Sequence, residues 1–317
     1  MPQPGPGEAL VQVRYCGICG TDTHIVQGLP GSLPVVGPRT LGHEFSGRVA
    51  AVGDGVGHLE IGQRVTSDVN FSCGHCAACY RGNPHLCPDM LGVGTAIDGA
   101  FADYIVVPAA ACHPIPDQVS DEQAALVEPL SCCLHGMDRL SVRLGDTVAI
   151  IGAGTIGLIM VQLARQAGAV HITAVEPHPH QRQLALQLGA NQAVDPSHVE
   201  GAWDKVIDCA GTPDSAALAL RLAARGATVV FFGLTRPDDE IGLRPYEVFQ
   251  KELTITSSFV NPHTFGRALS LLASGGIRTS ALITRVLPLD HINDAFGQPH
   301  PGKTLVEVSA ADDRSNP

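Results

Sequence analysis

The stretch TVAIIGAGTIGLIMVQLARQAGAVHITAVE, Thr147–Glu176, decides the fold. It begins with five residues of β-forming character, passes through a glycine-rich turn, and from Gly157 carries apolar residues at helical spacing as far as Gly168. VHITAVE then returns to an apolar β run. Strand, tight turn, glycine-stopped helix and second strand make one β-α-β unit. The alternation continues through QRQLALQLGA, KVIDCAG, SAALALRLAARG and ATVVFFG, with further helix stops expected at Gly189 and Gly226. Connections this short require parallel strands joined by right-handed crossovers, so residues 129–262 are expected to form an α/β, doubly wound parallel sheet of the Rossmann kind.

Within this segment Gly152-Ala153-Gly154-Thr155-Ile156-Gly157 is a GxGxxG pattern, which means little as bare text in a chain with 35 glycines. Its position between a strand and a helix gives it weight, because backbone N–H groups and the helix N-terminus then face a pyrophosphate. The plain alternative is an ordinary strand-to-helix turn. Glu176 stands nineteen residues beyond Gly157, at the end of the next strand. A carboxylate there accepts both ribose hydroxyls and repels a 2′-phosphate, which favours NAD over NADP. His178, His180 and Arg182 follow, and would accommodate a phosphate if Glu176 turned away; Arg182 is a cofactor-binding candidate. Gly211, Phe232-Gly233 and Ser257-Ser258-Phe259 fall at later strand ends, where Gly233 and Ser258 are expected to meet the nicotinamide.

Toward the N-terminus the pattern changes. From Glu8 to about Pro116 short apolar runs such as EALVQVRY, GRVAAV and AFADYIVV are cut by Gly, Pro, Asn and Asp, which predicts an all-β domain. Helical periodicity starts only near Asp121 and runs to Leu140. A helix around Phe265–Ser274 and the strand GKTLVEV read as a return to the first domain, which is therefore expected to comprise residues 1–128 and 263–317, with ADDRSNP frayed at its end.

A length of 317 residues fits about two domains. Twenty basic against thirty-one acidic residues give a net charge of −11 with no basic run, which excludes a phosphate-backbone footprint and so nucleic acid. No apolar stretch approaches the ~18–20 residues of a bilayer span, so no membrane is expected. The opening MPQPGPGEAL lacks a basic n-region and an apolar h-region, so a cytoplasmic location is expected. Ten cysteines in such a chain point to metal ligation or isolated buried thiols rather than disulfides.

Cys73, Cys76, Cys79 and Cys87 form C-x2-C-x2-C-x7-C in a Gly-, Asn- and Pro-rich lobe, residues 71–90, that cannot bury a core of its own. Four thiolates at this spacing surround one tetrahedral zinc ion with no open position, a structural site. Two disulfides are the alternative, and a zinc-ribbon binding module is a rival for the lobe taken alone, although the acidic balance opposes it.

Cys19 in CGICGTD, His43-Glu44 in LGHEFSG and Glu128 in VEPLSCC are scattered candidates, each with a dull reading when taken singly. Together, CGICGTDTH, GHEFSG, the four-Cys lobe, EPL, GAGTIG and GKTLVEV occur in the order found in the zinc-dependent medium-chain alcohol dehydrogenases, which the chain resembles from about Pro4 to Val308. The resemblance implies a GroES-like catalytic domain beside the Rossmann domain, and two zinc ions per chain. It implies that Cys19 and His43 bind a catalytic zinc with Glu44 as ligand or in exchange with Glu128. It further implies that Thr21 and His24 carry the substrate's proton. An acid at Glu128 points to the polyol and threonine dehydrogenase branch, so hydride transfer between a secondary alcohol and NAD across a domain cleft is expected. The substrate would be a polyol, sugar alcohol or cyclitol, with the matching ketone in reverse. An L-threonine or amino-alcohol dehydrogenase is the enzymatic alternative, and a non-catalytic zinc- and nucleotide-binding relative the alternative of another class. A homo-oligomer, dimer or tetramer, is implied as well. Similar proteins carry an additional strand before PQPGPGEALV, so a truncated start is expected here. Cys16, Cys112, Cys132, Cys133 and Cys209 are expected to fill core space.

Overall fold

The computed structural model describes residues 1–31, 33–35, 37–296 and 301–309. The chain opens with β1 (Glu8–Gly17), α1 (Gly20–Val26), β2 (Glu44–Val52), β3 (Arg64–Ser67), β4 (Asn70–Phe71), α2 (Ala77–Tyr80) and β5 (Leu91–Gly92). There follow β6 (Tyr104–Pro108), β7 (Cys112–Pro114), α3 (Asp121–Ala124) and α4 (Val127–Leu140). The middle holds β8 (Thr147–Ile151), α5 (Thr155–Gln166), β9 (His171–Val175), α6 (Pro179–Gln187) and β10 (Gln192–Val194). It continues with β11 (Trp203–Asp208), α7 (Pro213–Arg221), β12 (Ala223–Phe231), α8 (Pro245–Lys251) and β13 (Thr254–Ser257). Then come α9 (Phe265–Ala273), β14 (Ile283–Pro288) and β15 (Lys303–Glu307). Two compact units result, Met1–Pro129 with the chain from Phe265 onward, and Leu130–Thr264. These cuts lie one and two residues beyond those expected, the first inside α4. The frayed end expected at Ala311–Pro317 lies outside the described residues.

In the first unit the main sheet runs β14-β15-β1-β2-β3-β7, with β6 also on β1. Period-two alternation sends Ala9, Val11 and Val13 of β1 into a core with Phe45, Val49, Val65, Ile105 and Val107. The expectation of an all-β segment fails at α1. Cys19 caps that helix in extended conformation, and the Asp22 carboxylate, three residues on, accepts the Cys19 N–H at 2.8 Å. A side chain reaching back to the cap backbone is a helix-start signal that a search for apolar periodicity passes over.

The second unit is a six-stranded parallel sheet, β10-β9-β8-β11-β12-β13, with the order reversing between β8 and β11. Val148, Ala149 and Ile150 of β8 are fully buried, as a strand covered by helices on both faces must be. One helix stop is corrected: α7 ends at Arg221, and Gly226 lies inside β12 with φ +77°. The β11–β12 register shifts between Trp203 and Lys205, so Gly226 serves a bulge, where a left-handed residue is needed. Cys16, Cys112 and Cys133 are buried, and burial raises the Cys16 thiol well above its ordinary value and the Cys112 thiol to about 11. Among the described residues no helix is long and apolar enough to cross a membrane.

Candidate functional site

The first unit brings Cys19, His43 and Glu44 together, each offering one ligand atom within 4.8 Å of the others. Cys19 comes from the junction of β1 and α1, His43 directly precedes β2, and Glu44 is the first residue of β2. Sheet register makes the meeting possible: Gly17 pairs with Glu44 across β1 and β2. A Cβ on Gly17 would stand 2.2 Å from Glu44 Oε2, so only glycine leaves room for that carboxylate. One thiol, one imidazole and one carboxylate make a mixed S/N/O donor set that fits zinc with a position left open.

Burying these groups has electrostatic consequences. Glu44 is 1% exposed, and both its oxygens accept from Lys303 Nζ, at 2.8 and 2.6 Å. The same ammonium donates to Ile18 O at 2.9 Å, which uses all three of its donors. Burial alone would depress Lys303, but the charges of Glu44, Cys19 and Glu128 hold its ammonium above the ordinary range. Asp22, 1% exposed, accepts from Cys19 N and Gly42 N and lies 3.6 Å from His43 Nδ1. Burial pushes His43 toward its neutral form, yet Asp22, Cys19 and Glu128 raise it well above its ordinary value. Glu128, 8% exposed in the first turn of α4, lies outside the three-ligand cluster but within range to influence both His43 and Lys303.

Asp22 and Lys303 were missing from the sequence expectations. Each carried a signal: Asp22 stands at the spacing of a cap, and Lys303 opens the strand KTLVE ahead of buried Leu305 and Val306, where a buried ammonium requires a counter-charge. Thr21 and His24 are both half-buried on α1, three residues apart and therefore on one helix face.

In the lobe the hairpin of β4 and β5, with α2 between them, gathers four thiols, Cys73, Cys76, Cys79 and Cys87, within 4.8 Å of one another. Cys76 Sγ and Cys79 Sγ are 3.5 Å apart, far beyond the ~2.05 Å of a disulfide bond. His75 turns away, its Nδ1 2.8 Å from Cys73 O. Four converging thiols fit a closed tetrahedral zinc shell.

The second unit carries the glycine-rich turn after β8. Gly152 has φ +87°, and a Cβ on Gly157 would stand 1.9 Å from Gly152 O, so both positions need glycine. A Cβ on Gly154 would meet nothing within 4 Å. This open ground sits at the start of α5, where Thr155 and Ile156 begin the helix without a side-chain cap. Open backbone at a helix N-terminus has room for a pyrophosphate, so these residues fit a dinucleotide. Glu176, 6% exposed, accepts Ala153 N–H at Oε2 and both His178 N–H and His178 Nδ1 at Oε1. Arg182 Nη1 faces inward on Glu176 O and Pro177 O at 2.7 and 2.6 Å, and on Asp195 at 3.4 Å. Gly233 packs backbone to backbone against Gly211, and Ser258 Oγ is buried without a hydrogen-bond partner among the described residues.

Comparison with known proteins agrees with this geometry. Residues 5–117 match the alcohol dehydrogenase GroES-like domain, and residues 155–274 match the zinc-binding dehydrogenase family. D-arabitol-phosphate dehydrogenase of Enterococcus avium is 35% identical, over 96% of this chain and 90% of that protein. L-threonine 3-dehydrogenase of Stenotrophomonas maltophilia is 33% identical over 96% and 92%. The crystal structure of a zinc-binding dehydrogenase from Sinorhizobium meliloti 1021 bound to NADP superposes with a TM-score of 0.92 at 39% identity, covering 97% of this chain and 94% of that one.

Proposed function

The chain belongs to the zinc-binding alcohol dehydrogenase family, an oxidoreductase acting on CH–OH groups, and we propose that it oxidises a secondary alcohol of the polyol or sugar-alcohol class with NAD⁺. Alcohol and NAD⁺ give ketone, NADH and a proton. The observation that carries this reading is the convergence of Cys19, His43 and Glu44 donors beside a shared set of counter-charges. Zinc held there, with Glu44 or Glu128 as the carboxylate ligand, supplies Lewis acidity toward the alcohol oxygen, and the dinucleotide supplies the hydride acceptor. Asp22 orients His43, and the Lys303 ammonium holds both oxygens of the buried Glu44 carboxylate. The Thr21 hydroxyl takes the substrate's proton, and His24, on the same face of α1, is its next station outward.

In the second unit the buried Glu176 carboxylate favours a ribose diol over a 2′-phosphate, which supports NAD over NADP. Glu176→Ala is expected to erase most of that preference; an unchanged NAD-to-NADP ratio of kcat/KM would overturn the assignment. A homo-oligomer, dimer or tetramer, belongs to the same reading. Leu243, Tyr246 and Phe249 offer it exposed apolar surface, and light scattering checks it.

The deciding experiment counts zinc per chain and follows NAD⁺ reduction on arabitol, its phosphate, sorbitol, simple alcohols and L-threonine, before and after mild chelation. Two zinc ions and chelator-sensitive polyol oxidation are expected. Turnover confined to threonine would establish the second reading, favoured by the similarity to L-threonine 3-dehydrogenase. One tightly held zinc and no turnover of any substrate would leave a non-catalytic relative.

A further inference from the structure

The Glu176 carboxylate holds more donors than a ribose-reading group can keep. Ala153 N–H reaches Oε2 at 2.8 Å, while Oε1 takes the His178 backbone N–H at 3.0 Å and the imidazole Nδ1 at 2.6 Å. A carboxylate offers about four lone-pair sites, so three are taken where a ribose diol needs two. Two of the donors are backbone groups, fixed by the glycine-rich turn and by the cap of α6, where His178 is the N-cap residue. The third belongs to a side chain that is 77% exposed, and a rotation about its own bonds releases Oε1. Arg182 is not a substitute. Its Nη1 is committed to two backbone carbonyls and to Asp195, whose carboxyl the Ser197 hydroxyl and N–H hold below its ordinary range.

We propose that His178 is a specificity-determining residue for the cofactor. It is an exchangeable partner of Glu176 that must leave when a ribose diol binds, and while in place it softens the negative charge that excludes a 2′-phosphate. The proposal rests on the NAD assignment above. Its direction follows from the hydrogen bond: the Nδ1–H competes with the diol for Oε1 and shields that oxygen's charge. Removing the imidazole therefore frees an acceptor for NAD and exposes the full carboxylate to NADP. Both changes make the chain stricter for NAD. A merely structural role for His178 at the start of α6 would weaken both cofactors alike.

The test measures binding of NADH and NADPH, and of ADP-ribose and 2′-phospho-ADP-ribose, to the zinc-loaded full chain by fluorescence and calorimetry. His178→Ala is expected to raise the NADH-over-NADPH preference by about fivefold, the scale of one exposed side-chain partner of a carboxylate. His178→Asn, which places a favoured N-cap residue at the start of α6, is expected to do the same. In a Glu176→Gln background the His178→Ala change is expected to alter the preference by less than about twofold, since the two side chains act as one unit. An unchanged or lowered preference in both His178 variants overturns the proposal, as does an undiminished rise in the Glu176→Gln background. A parent chain that binds ADP-ribose but shows no preference against its 2′-phosphate overturns the NAD assignment itself, and the proposal with it.

Discussion

The four-cysteine lobe and the Cys19–His43–Glu44 cluster belong to the same unit and meet the problem of gathered charge in opposite ways. In the lobe all four donors are thiols drawn from one short stretch, and Cys73, Cys76 and Cys79 are only half-buried. Such a shell needs a hairpin and one helical turn, and nothing from the rest of the chain. The cluster mixes three donor types, buries two carboxylates nearly completely in Asp22 and Glu44, and draws its balancing ammonium from the last strand. A closed site can be local; an open, buried, anionic one needs distant counter-charges.

The sharpest way to break this contrast is Cys19→Ser. Activity is expected to fall about a thousandfold or more, because the Lewis acid goes with its ligand. Zinc content should drop from two to one as the lobe keeps its own ion; a variant that still holds two would overturn the ligand assignment. Conversely, replacing Cys76 and Cys79 by Ser should empty the lobe and cost ~4 kcal/mol of stability in urea unfolding. The turnover of chains that remain folded should stay within about twofold of the parent. If activity vanished in step with the lobe's zinc, the two sites would not be independent.

Lys303→Met tests the counter-charge. Leaving Glu44 buried and unpaired should cost about 3 kcal/mol, and adding Glu44→Gln should recover much of it. A cost below ~1 kcal/mol would mean that solvent, and not Lys303, balances the carboxylate. The smallest effect is expected from Asp22→Asn, which should weaken zinc in the cluster about tenfold by loosening His43 while leaving the lobe's affinity unchanged. Chelator competition resolves the two affinities in a single titration.

Much of this was legible beforehand wherever neighbours in sequence are neighbours in space. The parallel sheet followed from apolar runs and glycine stops, and the lobe from cysteine spacing. The turn at Gly152–Gly157 and its acid at Glu176 followed from a strand feeding a helix. Misreadings arose where a local signal had two uses. Gly226 looked like a helix stop and serves a bulge in β12, since both need a left-handed residue. Helix α1 was hidden because its start is marked by a side chain reaching back to the backbone, and apolar periodicity does not register that bond. For Arg182 the sequence shows a charge near the nucleotide turn but not that its Nη1 faces two backbone carbonyls.

By itself the sequence determined the parallel sheet, the gathering of four cysteines in the lobe and the glycine turn after β8, since each is set by spacings of a few residues. Tertiary structure alone decided which charges meet at the cluster. Strand β1 is flanked by β2 and β15, so Gly17 pairs with Glu44 on one side and with Leu305 on the other. That arrangement brings Lys303 onto a carboxylate 259 positions away in the chain. The physical reason is that a buried charge must be neutralised by whichever strand the sheet lays alongside it, and sheet pairing places no limit on sequence separation.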